Sequence, residues 1–242
     1  MLYLGRLIMT TIPNNLQRVH QRIAQACAQA QRPVTDVTLL AVTKTFGPEA
    51  VREAHGAGQN AFAENYIQEA VEKIGLLHDL RLQWHCIGPV QSNKTRLVAS
   101  HFDWVHTVDR LKTAQRLSEQ RPPDLGPLQV CIQVNIDGGP SKSGVAPAEV
   151  AALAREIAQL PRLKLRGLMT IPEPAEDFNA QRAIHLRARA LFDQLNDEGL
   201  HLDTLSMGMT ADLEAAIVAG STMVRIGTAI FGGRPAAASS RA

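Results

Sequence analysis

Three cysteines stand among 242 residues, Cys27, Cys86 and Cys131, and their wide spacing contains neither a CxxC pair nor a Cys/His ligand pattern. A disulfide framework and a zinc site are not indicated, and reduced thiols in a cytoplasm are the expectation. Charge of one sign is missing too. The 25 basic and 23 acidic residues leave a net charge of +2 without a long run of either kind, so no nucleic-acid surface is expected. No apolar run approaches the roughly 18 residues that span a bilayer, and the opening MLYLGRLI is too short and too lightly charged for a signal peptide. Small molecules are therefore the expected partners, without nucleic acid or membrane. Tyrosine is scarce, with only Tyr3 and Tyr66.

What is present is one repeated pattern. A short apolar run is followed by a longer segment of helical periodicity, which is the signature of βα units and a parallel sheet. The strand candidates are TLLAVTK, NAFAEN, LQWHCIG, WVHTVD, QVCIQVN, LRGLMTI, TLSMGM and MVRIGTAIFG. Helix candidates follow at 48–57, 65–78, 93–99, 109–120, 147–160, 179–197 and 211–219, with a short piece at the C-terminus. Gly47 and Pro48, Asp109, Pro147 and Gly199 punctuate these boundaries, and Asn93 is placed to cap the helix after it. Ahead of the first unit, Asn14 or Asn15 is placed to cap an amphipathic helix.

Eight units fit a single (β/α)8 TIM barrel with an additional N-terminal helix, because such barrels run to about 250 residues as one unit. The barrel is assigned to 9–234. Residues 1–8 read as an extension, with Met9 as a second candidate start, and 235–242 as a flexible tail. A mixed-polarity surface without an evident apolar patch points to a monomer.

In such barrels the active site forms where the strands end, often with a phosphate held by the loops after strands seven and eight. Lys44 closes strand one, so barrel closure sets it beside strand eight. Ser206, Gly227 and Thr228 offer hydroxyls and open backbone N–H groups for a phosphate. Alternation turns Arg225 away from Val224 and Ile226, into the barrel. A buried guanidinium needs a partner: either a carboxylate such as Glu64 or Asp109, or a ring nitrogen or carboxylate of a ligand. Lysine, phosphate cup and arginine together describe a pyridoxal 5'-phosphate site. An arginine at the pyridine nitrogen weakens the ring as an electron sink, which argues against transamination.

The segments LLAVTKTFGPEAVREAHGAG, FAENYIQEAVEKI, WHCIGPVQSNKT, QVNIDGGPSKSGV, LRGLMTIP and LSMGMTADLEAAIVAGSTMVRIGTAIFGGR together resemble the pyridoxal phosphate homeostasis proteins, over about 9–234. The resemblance implies one barrel like the N-terminal domain of alanine racemase. It further implies that Lys44 forms the Schiff base, that Ser206, Gly227 and Thr228 hold the phosphate, that Arg225 meets the pyridine nitrogen, and that Asn65 is a ring-side contact. Ala63 departs from the glycine usual before the EN pair. The implied role is cofactor holding and delivery in vitamin B6 homeostasis, with apo forms of pyridoxal-phosphate enzymes as recipients and indirect effects on amino-acid metabolism.

Other residues leave alternatives open. His85 in strand three either stacks on the cofactor or is a satisfied structural histidine. Cys131, Gln133 and Asn135 alternate as interior filler. Lys94 and Lys142 read as solvated charge, although Lys142 in the glycine-rich loop can also be read as a second amine that relays the cofactor outward. Two enzyme readings compete with homeostasis. An amino-acid racemase needs a second acid/base, supplied in two-domain racemases by a tyrosine of the other domain, and Tyr66 reads as a rim residue instead. A Schiff-base aldolase would use Lys44 on a sugar-phosphate carbonyl, and has no ring nitrogen for Arg225 to meet.

Overall fold

Each of the eight apolar runs becomes a strand, and the strands pair in chain order into one closed, all-parallel barrel in which β8 returns to β1. The computed structural model describes residues 11–139 and 143–233. Lys142, the 1–8 extension and the 235–242 tail lie outside the described residues. The strands are β1 (Thr38–Val42), β2 (Ala61–Glu64), β3 (Gln83–Cys86), β4 (Trp104–Val108), β5 (Leu128–Val134), β6 (Leu163–Thr170), β7 (Thr204–Ser206) and β8 (Met223–Ile226). Between them run α2 (Pro48–Gly56), α3 (Ile67–Leu76), α4 (Thr95–His101), α5 (Leu111–Gln120), α6 (Pro147–Ala158), α7 (Phe178–Asp197) and α8 (Leu213–Val218). Helix α1 (Ile12–Gln29) precedes β1, and the one-turn α9 (Thr228–Phe231) follows β8. Among the described residues no helix is long and apolar enough to cross a membrane.

The period-2 pattern sorts side chains between two cores. Leu39 and Ala41 of β1, with Val224 and Ile226 of β8, join the shell between strands and helices. Leu40, Val42 and Met223 point inward, with Ala61, Ala63, Trp104, Cys131 and Met169. Arg225, between Val224 and Ile226, therefore faces the interior and is buried.

Several ends differ from the sequence expectation. Strand β1 stops at Val42, so Lys44 sits in the turn after it rather than on its last rung. The side chain of Thr11 caps α1, while Asn15 turns inward to donate to the Ile230 carbonyl at 2.7 Å. Helix α4 begins at Thr95 after Lys94, without a side-chain cap from Asn93. Helix α3 begins at Ile67, which leaves Asn65 in the loop and Tyr66 exposed at its start.

Helix α1 lies outside the βα repeat and packs on α8 and α9. Arg22 grips Glu214 through two bonds of 2.7 and 2.8 Å and donates to the Thr210 carbonyl at 2.9 Å. Arg32 donates to the Ser221 carbonyl at 2.8 Å. These contacts tie the start of the chain to the loops flanking β8.

Closure between β6 and β7 depends on Gly167. The β5–β6 register skips Arg166, pairing Val130 with Leu165 and then Cys131 with Gly167, which is a bulge. A Cβ on Gly167 would lie 1.6 Å from the Thr204 carbonyl oxygen, so a side chain there forces β7 away. Gly167→Ala is expected to cost at least about 1–3 kcal/mol, lowering the melting temperature by roughly 2–4 °C for each kcal/mol; differential scanning calorimetry checks it.

Candidate functional site

The turn that carries Lys44 is clamped on both sides. The Thr43 N–H donates to the Ala63 carbonyl at 3.0 Å, prolonging the ladder one residue past β1. Its hydroxyl donates to Glu64 Oε1 at 2.6 Å. Lys73 Nζ donates to the Thr43 carbonyl at 2.9 Å, to Glu64 Oε1 at 2.6 Å and to Glu69 Oε1 at 3.2 Å. Glu69 also accepts the Thr45 N–H at 2.9 Å, and Thr45 takes a left-handed φ of 69°. The Lys73 and Glu64 side chains are 3% and 0% exposed. Burial pushes the Glu64 carboxyl above the usual range, although Lys73 and Thr43 pull it back. Lys73 is thus committed to three protein oxygens, whereas Lys44 is half-buried and lines a cavity.

That cavity opens at the C-terminal end of the barrel and measures about 410 Å³, within the roughly 300–1,000 Å³ of small-molecule sites. Val42, Ile87, Ile171, Met209 and Ala211 give apolar walls; Lys44, Asn65, Thr210, Arg225, Gly227 and Thr228 give polar ones. Asn65 is held by close approach of β3's exit loop: a Cβ on Gly88 would fall 1.9 Å from the Asn65 carbonyl oxygen. The Thr107 hydroxyl fixes Gly88 by donating to its carbonyl at 2.6 Å. Asn65 Oδ1 is buried and has no hydrogen-bond partner, so a donor on a ligand would satisfy it.

Arg225 makes no ion pair with Glu64 or Asp109. Glu64 is taken by Lys73, and Asp109 by Arg110. The guanidinium donates instead to two neutral oxygens, Ser206 Oγ at 2.8 Å and the Thr170 carbonyl at 2.9 Å. Burial lowers its pKa to about 10, with Asp212 opposing, so it remains charged at neutral pH.

Two expected site residues lie elsewhere. Ser206 is fully buried beneath Arg225, its hydroxyl engaged with Arg225 and with His106 Nδ1 at 2.9 Å. It is not part of the cavity lining. The lining after β7 is the Met209–Ala211 loop, held by Asp212 Oδ1 accepting the Met209 N–H at 2.7 Å and by Arg22 on the Thr210 carbonyl. Asp212 is in turn bonded to buried His185 at 2.9 Å. The readable signal was the second hydroxyl in SMGMTAD, Thr210, nearer the strand's exit. His85 is also fully buried, stacked on Trp104 at 5.3 Å and bonded to Gln83 and His106. It supports the interior below the cavity. His106, not singled out from sequence, shares the inward face of β4 with Trp104, so strand alternation alone would have found it.

Lys73→Met strands the Glu64 carboxylate in the interior, and is expected to lower the unfolding free energy by about 3–5 kcal/mol. Adding Glu64→Gln should recover part of that loss, read from urea unfolding of the single and double variants. Acid sensitivity follows from the histidines. Burial pulls His85 down to about 3 and His106 well below its ordinary value, the latter also repelled by His85 and Arg225. The unfolded chain therefore binds more protons than the folded one between about pH 6.5 and 3. Stability from this source is intact above that window and falls on acidification through it, by at most about 1.4 kcal/mol per pH unit for each histidine. Urea midpoints between about pH 7 and 5 check the sign, with His85→Asn showing a smaller drop than the parent.

Residues 15–235 match the family described as alanine racemase, N-terminal domain. The pyridoxal phosphate homeostasis protein of Pseudomonas aeruginosa is 59% identical over 226 residues, covering 93% of this chain and 97% of that protein. PipY of Synechococcus elongatus, solved with pyridoxal phosphate bound, superposes with a TM-score of 0.76 at 35% identity, over 88% of this chain and 100% of that one. The alanine racemase of Corynebacterium glutamicum shares the fold, with a TM-score of 0.65 at 17% identity over 94% of this chain and 62% of the racemase. On this evidence the chain belongs to the pyridoxal phosphate homeostasis family, built on the barrel of the alanine racemase N-terminal domain.

Proposed function

We propose that the chain binds pyridoxal 5'-phosphate in the C-terminal cavity, holds it as a Schiff base on Lys44, and serves intracellular cofactor homeostasis by delivering it to apo-enzymes. The observation that carries this reading is the pairing of a lysine in the cavity lining with a buried arginine that, among the described residues, forms no ion pair with a carboxylate. Bound pyridoxal phosphate supplies an aldehyde that condenses with primary amines and a ring that withdraws electrons. The residues present suit it. Lys44 would hold the aldehyde carbon, Arg225 the pyridine nitrogen, and Asn65 the ring side. Gly227, Thr228 and Thr210 would hold the phosphate, with Ser206 supporting Arg225 from below. Val42, Ile87 and Ile171 offer the apolar walls that exclude water from such a ring. The names of the relatives and the cofactor in PipY support the same reading.

A holding role is supported by what lines the cavity. Among the described lining residues, Lys44 and Arg225 are the titratable ones, and an arginine is a poor proton acceptor. A racemase needs two acid/base groups on opposite faces of the ring. Tyr66, the one tyrosine among the described residues, starts α3 with its side chain in solvent rather than in the lining. An aldolase would leave Arg225 without a ring nitrogen to meet. Three buried, reduced thiols fit a cytoplasmic setting. Lys142, in the sequence segment GGPSKSG, is the candidate second amine for passing the cofactor on.

The test is the absorption spectrum of purified protein before and after borohydride, with peptide mapping, beside Lys44→Ala. The expected result is a near-ultraviolet to violet band that shifts on reduction, a pyridoxyl mass on Lys44, and no band in Lys44→Ala. A colourless protein that pyridoxal phosphate does not reconstitute overturns the reading. Rapid exchange of an amino acid's Cα proton with deuterated solvent would favour the racemase instead.

A further inference from the structure

One hydrogen-bonded chain crosses the barrel interior. It starts at Gln83, exposed at the opposite mouth where β3 begins. Gln83 Oε1 lies 3.0 Å from His85 Nε2, His85 Nδ1 lies 2.9 Å from His106 Nε2, and His106 Nδ1 lies 2.9 Å from Ser206 Oγ. Ser206 Oγ then receives Arg225 Nη1 at 2.8 Å. Four side chains from β3, β4 and β7 thus link the far mouth to the arginine in the cavity wall.

The direction of every hydrogen follows from the ends. An amide oxygen only accepts, so His85 Nε2 carries a hydrogen towards Gln83. Both rings are neutral, burial being the dominant cause, and a neutral imidazole has one N–H. His85 Nδ1 is therefore bare and accepts from His106 Nε2. His106 Nδ1 is bare in turn and accepts the Ser206 hydroxyl hydrogen. That leaves the Ser206 oxygen with lone pairs for Arg225, which only donates. The reverse order would aim both His106 and Arg225 at Ser206 Oγ and leave the Ser206 hydrogen without an acceptor.

We infer that His106, backed by His85, is a positioning residue for Arg225: it orients the Ser206 hydroxyl so that the guanidinium is held by neutral acceptors and keeps its charge and donors for the cavity. This rests on the cavity being the pyridoxal phosphate site. The consequence there is a ring nitrogen that receives a hydrogen bond but no proton. A carboxylate in the place of His106 would offset the arginine's charge and so favour a protonated ring nitrogen.

The first test uses the cofactor-free protein. Histidine ¹⁵N NMR is expected to show His85 and His106 as neutral Nε2–H tautomers; an Nδ1–H tautomer or an imidazolium at either overturns the chain's direction. The second uses full-length protein loaded with pyridoxal phosphate labelled with ¹⁵N in the ring. The parent should show an unprotonated nitrogen at neutral pH. His106→Phe should move that resonance towards the protonated range, alter the pH profile of the absorption band, and weaken cofactor binding by about tenfold, the effect of one charge-assisted hydrogen bond. His106→Asn, which restores an acceptor for Ser206, should return the resonance towards the parent value. If His106→Phe does not fold, Ser206→Ala tests the same link by removing the acceptor for Arg225, with the same shift expected. A ring nitrogen that does not move in the folded variant overturns the positioning role alone. Absence of any bound ring signal in the parent overturns the cofactor reading, and the positioning role with it, while the tautomer result still stands.

Discussion

The buried pair of Lys73 and Glu64 is the constraint on which the functional end of the barrel depends. Neither charge is stable in the interior alone, and together they have a use beyond neutralising each other. Their common partner is Thr43, the residue before Lys44, and Lys73's third oxygen belongs to Glu69, which holds Thr45, the residue after. A flexible four-carbon side chain thus begins from a fixed root. The free energy spent burying two charges reappears as precision in where one half-buried amine can reach.

Two of the buried cations, Lys73 and Arg225, are treated in opposite ways. Lys73 is surrounded by carboxylates and becomes part of the scaffold, while Arg225 is surrounded by a hydroxyl and a carbonyl and keeps its charge. In a low-dielectric interior an uncompensated charge interacts strongly with whatever arrives. The neutral histidines behind Ser206 allow this, since they supply hydrogen-bond capacity without a countercharge. Arg225 therefore presents its charge to the cavity while its own supports remain neutral.

The fold was legible because its signals are local and repeated: eight apolar runs, helix-initiating prolines at Pro48 and Pro147, and Gly199 closing α7. The inward face of Arg225 followed from alternation within one strand. Depth along the barrel axis was less accessible. Ser206 and Thr210 both sit near the end of strand seven and both carry hydroxyls, and only the packed barrel decides that the first lies under Arg225 and the second at the cavity. His85 was ambiguous for a related reason, because its stacking partner is Trp104, a residue of the next strand. The cap of α1 was missed because Asn14 and Asn15 were the candidates while Thr11 does the capping, since a buried asparagine and a capping one look alike in sequence.

Helix α1 has a consequence in time. Its bonds to Thr210, Glu214 and Ile230 join residues 188, 192 and 215 positions apart, so this helix waits for a far later stretch of the chain before its face is covered. Contacts of such long range slow folding. They also make the cavity depend on this late stretch, because β8 supplies Arg225, the residue after it is Gly227, and the loop gripped by Arg22 supplies Thr210. A partly synthesised barrel would carry Lys44 on its turn without the groups that surround it. Lys44 meets the other residues that line the cavity only once β8 and the loops beside it are in place.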